Sequence, residues 1–82
     1  MKEQLAKPYY FDPRSIILIN HNGKIRRLFI PFKVLCIEPI DNIRYGVWVY
    51  VDEVRQSPQD ELIYLIQRKE YLYSNFCIQI GF

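Results

Sequence analysis

Glycine, cysteine and histidine are scarce in this 82-residue chain, at three, two and one respectively. Three glycines cannot build the Gly-rich loop that cradles a phosphate. Cys36 and Cys77 lack C-x-x-C spacing, and His21 does not complete a zinc site with them at any recognised spacing. Two reduced, packed thiols are the expectation. No Ser/His/Asp or Cys/His constellation stands out, and His21 reads as a solvated turn residue. The carboxylate pairs Asp52-Glu53 and Asp60-Glu61 are adjacent residues, which a strand sends to opposite faces, so they do not converge as an acid and base. Neither an enzyme nor a bound cofactor or metal is expected. Long apolar runs are missing too: nothing approaches the roughly 18–20 residues of a membrane span. The opening MKEQLAKPYYFDP has Lys2 but no apolar segment behind it, so no signal peptide and a cytoplasmic location are expected.

What is abundant is apolar side chain. Half the residues are hydrophobic and thirteen are aromatic (seven Tyr, five Phe, one Trp). A single domain of this size buries only about 60–65% of the surface its unfolded chain exposes, so some of those rings must lie outside the core. Charge is unevenly placed. Residues 1–33 hold seven basic against two acidic side chains, a balance of +5, whereas residues 34–82 hold four against seven, a balance of −3.

The punctuation is that of short strands. Residues 15–20 (SIILIN) and 24–30 (KIRRLFI) flank His21-Asn22-Gly23, and Asn-Gly between apolar runs predicts a hairpin with a type I′ turn. Pro31 has no N–H for a ladder and ends or bends the second strand. Residues 33–38 resume as a strand, and Pro39 with Asp41-Asn42 makes a turn. Residues 45–55 alternate, with Val47, Val49 and Val51 on one side and Trp48, Tyr50 and Asp52 on the other. Residues 61–67 read as a strand, since Leu62 to Ile66 has no single face at a 3.6 period. A turn at Arg68-Lys69-Glu70 leads to a last strand over 71–80. The inward candidates are Val47, Val49, Val51, Ile63, Leu65, Ile78 and Ile80.

Tyr71-Leu72-Tyr73-Ser74-Asn75-Phe76-Cys77 resembles the end of Src-homology-3 domains, where a Pro-Ser-Asn-Tyr turn of tight helix precedes the last strand. Ser74, Asn75 and Phe76 match Ser, Asn and Tyr, and Tyr73 replaces the proline. Gly46-Val47-Trp48-Val49-Tyr50-Val51 resembles that family's Gly-Glu-x-Leu-x-Val strand, with residues 61–66 as its partner. The resemblance covers residues 45–80. It implies an all-β, five- or six-stranded Src-homology-3-like barrel over residues 15–82, with a short helical turn near Ser74–Phe76 and an N-terminal arm over residues 1–14. The family's Pro-rich peptide site is not carried over. Pro8-Tyr9-Tyr10-Phe11-Asp12-Pro13 only loosely echoes Ala-Leu-Tyr-Asp-Tyr, the loop around Asn22 is basic rather than acidic, and Leu62-Ile63 stands where paired tryptophans would be.

Two kinds of partner remain. Outward Trp48 and Tyr50, with Tyr9 and Tyr10, have the composition of a protein-contact surface, and a symmetric weak homodimer could hide the Trp48/Tyr50 pair. The alternative is that a loop or the N-terminal arm, Tyr9-Tyr10-Phe11, folds over that pair as a small second cluster. The second kind is nucleic acid on Lys24, Arg26, Arg27 and Lys33, with aromatics interleaved. The isoelectric point of 8.6 falls below the value of about 9 or more that marks a dedicated nucleic-acid domain. A non-catalytic protein-interaction module is therefore the leading expectation, with a weak nucleic-acid-binding barrel as the alternative.

Overall fold

The computed structural model describes residues 6–79, which form nine strands in three antiparallel sheets. In chain order they are β1 (Ala6–Asp12), β2 (Ser15–Asn20), β3 (Ile25–Phe29), β4 (Phe32–Cys36), β5 (Trp48–Val51), β6 (Glu53–Gln56), β7 (Leu62–Ile66), β8 (Lys69–Leu72) and β9 (Phe76–Cys77). The sheets run β1-β2-β3, β5-β4-β9 and β6-β7-β8. The class is all-β, but no closed barrel forms among the described residues, and the strands outnumber the five or six expected. Bends create the surplus. The alternating segment 45–55 breaks at Asp52, so β5 belongs to one sheet and β6 to another, the device by which a strand turns a corner between packed layers. Its pairing shifts there from β4, which faces Val51 with Phe32, to β7, whose Leu65 carbonyl accepts from Asp52 N–H at 2.8 Å.

The segment read as an N-terminal arm is, from Ala6 to Asp12, a full strand paired along β2. It packs against β6 and β7 and does not cover Trp48 or Tyr50. Its hairpin closes at Pro13-Arg14, where one Asp12 carboxylate oxygen accepts from Arg14 N–H and Ser15 O–H, both at 2.9 Å. Short polar side chains favour turns through this kind of bond.

The Asn-Gly hairpin forms with a different turn from the one expected. Gly23 N–H donates to Asn20 C=O, and of the loop residues only Gly23 has positive φ, at 81°. This is a three-residue loop closed by a left-handed glycine. Asn20 explains the choice: its side-chain oxygen accepts from both Asn22 and Lys24 N–H, holding Asn22 in an ordinary turn conformation. A two-residue loop with positive φ at both positions occurs instead at Gln67-Arg68 (50° and 69°), between Ile66 and its partner Lys69. The expected turn at 68–70 thus falls one residue earlier, and Lys69 and Glu70 belong to β8.

The core lies between the three sheets. Ile16 and Leu18 come from the first, Val34, Val51 and Phe76 from the second, and Val54, Tyr64 and Tyr71 from the third. Of the inward candidates Val51 and Ile78 are buried, Val49 is half-buried against the core, and Ile80 lies outside the described residues. Three are corrected. Val47 precedes β5 and is 41% exposed. Ile63 and Leu65 face outward, while Leu62, Tyr64 and Ile66 are buried. Cross-strand neighbours decide that facing. Tyr64 stands level with Val54 and Tyr71, both buried, whereas Ile63 and Leu65 stand level with Arg55, Glu53 and Glu70, whose ion pairs need water.

The short helical turn is present as a single 3-10 turn at Tyr73–Asn75. Asn75 anchors the 37–47 loop: its carbonyl accepts from Ile37 and Glu38 N–H, and its side-chain amide donates to Glu38 C=O at 3.0 Å. Tyr71 O–H donates to Asp41 at 2.9 Å from below the same loop, and burial followed by this bond pushes the phenol's pKa up.

Candidate interaction surface

The β1-β2-β3 sheet has two apolar faces because both phases of its strands are apolar. Ile16 and Leu18 of β2 face the core with Pro8, Tyr10 and Leu28 as cross-strand neighbours. Ile17 and Ile19 face the other way, with Lys7 and Tyr9 on β1 and Ile25 and Arg27 on β3. A bulge at Phe11 adds its ring to that outer face. Tyr9, Phe11, Ile25 and Phe29 are 44%, 52%, 67% and 57% exposed, so the fold leaves this row uncovered.

Arg27 sits in the middle of the row. Its guanidinium carbon lies 4.1 Å from the Phe11 ring centre and 4.7 Å from that of Phe29. Nη2 pairs with Asp12 at 3.1 Å, and Nε donates to Ser15 Oγ at 3.1 Å. The backbone bond from Arg14 and the Ser15 hydroxyl, more than the Arg27 charge, hold the Asp12 carboxyl below its ordinary range. The arginine is therefore a fixed part of an aromatic surface.

The four basic candidates do not form one patch. Lys24 follows the hairpin loop and Arg26 and Arg27 are on β3, where adjacent residues project to opposite faces. Lys33 belongs to β4 in a different sheet, with its ammonium 5.4 Å from the Trp48 ring centre. The protein-contact candidates also divide. Trp48 and Tyr50 lie on the outer face of β5, 45% and 57% exposed, beside a cleft of about 320 Å³ lined also by Ile43, Asp52 and Ile66. Tyr9 and Tyr10 border another cleft of about 240 Å³, with Gln56, Leu62 and Tyr73; Tyr10 is half-buried against the core. The two clefts share no lining residue.

Phe11 and Ile25 were not singled out from sequence. Their signal was the two-sided apolar pattern of SIILIN, which a small domain cannot cover on both faces. Cys36 and Cys77 are buried, reduced thiols on paired strands; Cys36 stands opposite Phe76 and Cys77 opposite Leu35, which turns the two sulfurs to opposite faces. Among the described residues no His, Cys, Asp and Glu group has the makings of a metal site, and no helix is long and apolar enough to cross a membrane. No protein-family model, curated protein or solved structure matches the chain.

Proposed function

We propose that this chain is a non-catalytic protein-interaction module whose main contact surface is the outer face of β1-β2-β3. The observation that carries the reading is the exposed row Tyr9, Phe11, Ile25 and Phe29 with Arg27 stacked among its rings. Aromatic residues and arginine dominate the binding energy of protein interfaces, and a contiguous exposed apolar surface of this kind marks a contact site. Arg27 is held in place by Asp12 and Ser15, so little ordering entropy remains to be lost when a partner covers it.

The scaffold for this surface is read as a Src-homology-3-like barrel interrupted at Asp52. Supporting that reading are the tight β7–β8 hairpin and the single 3-10 turn before β9, which follow the order the resemblance implies; the pairing it implies between residues 46–51 and 61–66 does not form, since β5 pairs with β4 and β7 takes β6 as its partner. Nucleic-acid binding is less well supported, because Arg27 is neutralised by Asp12 and Lys33 is in another sheet.

Selection of binders from a random-peptide display library tests the module reading, using wild-type chain and Phe29→Asp as baits. Sequences enriched on the wild type and lost on Phe29→Asp are expected. Enrichment unaffected by Phe29→Asp, or none at all, would remove this face from the account.

A further inference from the structure

The first sheet meets the third where Val54 N–H of β6 donates to Pro13 C=O, just after β1, at 3.0 Å. Farther along the same two strands lies the cleft of about 240 Å³, with residues 7–10 on one side and Gln56 and residues 60–62 on the other. Its floor is apolar: Pro8 and Leu62 are buried, and Tyr10 and Tyr73 are half-buried. Its rim is exposed and charged. Asp60 and Glu61 stand there with Lys7, two carboxylates against one ammonium, a balance of −1.

The backbone adds acceptors to that rim. Ser57 N–H donates to Glu61 C=O at 2.9 Å, so the alternate residues Val54 and Gln56 turn their backbone groups away from β7, as the Val54 bond to Pro13 requires. On the other side, Asn20 N–H donates to Lys24 C=O, which leaves Ile17 and Ile19 to bond toward β1 at Tyr9 and Lys7. Pro8 and Tyr10 therefore turn their carbonyls away from β2, toward the side of the cleft. Pro8 brings a carbonyl and no N–H. Acceptors thus outnumber donors around the cleft. The turn that holds the two carboxylates is fixed beforehand, because Ser57 Oγ accepts from Gln59 and Glu61 N–H at 3.2 and 3.0 Å. A cation already rests on one wall, with the Lys7 ammonium 5.7 Å from the Tyr9 ring centre.

We propose that this cleft receives an arginine side chain of the protein partner, its stem along Tyr10 and Leu62 and its guanidinium at the rim with Asp60 and Glu61. A guanidinium has five donors and no acceptor, lies flat on aromatic rings and pairs with a carboxylate through two parallel bonds. Those are the properties that an acceptor-rich cleft with tyrosine walls selects. Tyr9 belongs both to the cleft and to the exposed row of the outer face, so a partner covering that row reaches the cleft at its border. The proposal rests on the module reading and names the partner's chemistry at one position.

Nuclear magnetic resonance titration of the labelled full chain tests it. The probes are N-acetyl-arginine amide, the citrulline counterpart, which keeps the shape without the charge, and the lysine counterpart. The arginine probe is expected to shift the amide signals of Gln56, Leu62 and Tyr73 with millimolar affinity, and the citrulline and lysine probes to bind at least about tenfold and about threefold more weakly. Asp60→Asn combined with Glu61→Gln should weaken the arginine probe about tenfold; asparagine keeps the left-handed backbone of Asp60 (φ 65°). Lys7→Ala removes the resident ammonium and should tighten binding by about two- to fivefold.

Arginine and citrulline probes that bind alike would overturn the assignment, as would shifts confined to residues away from the cleft or no shift at tens of millimolar. A lysine probe that binds more tightly than arginine would overturn the choice of guanidinium. These comparisons use the wild type, so they stand even if a variant fails to fold. The display selection separates the two readings: sequences lost on Phe29→Asp but carrying no preferred arginine would keep the outer face and remove the cleft, whereas arginine-specific shifts without any enriched sequence would keep the cleft and remove the face.

Discussion

Tyr64 is the largest fully buried side chain, with the Phe32 ring edge-on at 5.7 Å and the Phe76 ring at 6.2 Å. It touches strands of two sheets, and burial pushes its phenol pKa up. Tyr64→Ala is expected to cost about 3–5 kcal/mol, the range for deleting a buried aromatic ring. That is a large part of the roughly 5–15 kcal/mol a domain possesses, so urea unfolding should show either a much lower midpoint or no folded baseline. Asp12 carries a pH dependence. Its carboxyl is lowered in the folded chain, by Arg14 N–H first and the Ser15 hydroxyl next. The stabilisation is therefore complete above the unfolded value of about 3.9 and disappears as pH falls through the lower folded value. An acid titration followed by circular dichroism should show this loss in the wild type and not in Asp12→Asn, which keeps a turn acceptor but has no proton to gain.

At the scale of elements, the β7–β8 hairpin uses residues that do not suit its turn. Gln67 and Arg68 both adopt positive φ, a conformation that costs an ordinary residue about 1–2 kcal/mol and asparagine or glycine much less. Replacing them together by Gln67→Asn and Arg68→Gly should raise stability by about 1 kcal/mol, seen as a higher urea midpoint at unchanged slope. Asp52 limits the gain from any larger redesign, since its carboxylate accepts from Gln67 N–H at 3.2 Å and ties this turn to the β5–β6 bend. The same bend brings Val51 and Val54 into the core although they are three residues apart, a spacing that a straight strand would split between faces.

For the whole molecule, the question is what covers the second aromatic patch. Trp48 and Tyr50 share their surroundings with Lys33 on one side and Asp52 on the other. A two-fold axis beside them would set opposite charges against each other, which makes the patch compatible with its own copy. Such an interface needs about 600–800 Å² per partner, a large share of so small a surface, so a weak homodimer is expected. Sedimentation velocity over a range of concentrations should show association that Trp48→Ala abolishes, added salt weakens and Phe29→Asp leaves alone. Association equal in the wild type and Trp48→Ala would place the interface elsewhere, and a monomer at high micromolar concentration would leave the patch to another protein.

Strand content, the Asn20–Lys24 hairpin, the turn before the last strand and the surplus of aromatic surface were all legible in the sequence. Each depends on neighbours a few residues apart: Asn20 beside Gly23, Ser74 beside Asn75, alternation within SIILIN. The facing of β7 was not legible, because five consecutive apolar residues present the same pattern to both sides and only Val54 and Tyr71 across the sheet select Leu62, Tyr64 and Ile66. Nor was the outer face. Tyr9 and Phe11 on β1 and Arg27 and Phe29 on β3 lie on two strands that meet across β2 only when β1 pairs with β2 and β2 with β3. The sequence determined that apolar side chains would be left over. Which ones, and around which arginine, was decided by strand register, since a shift of one residue sends every side chain of a strand to its other face.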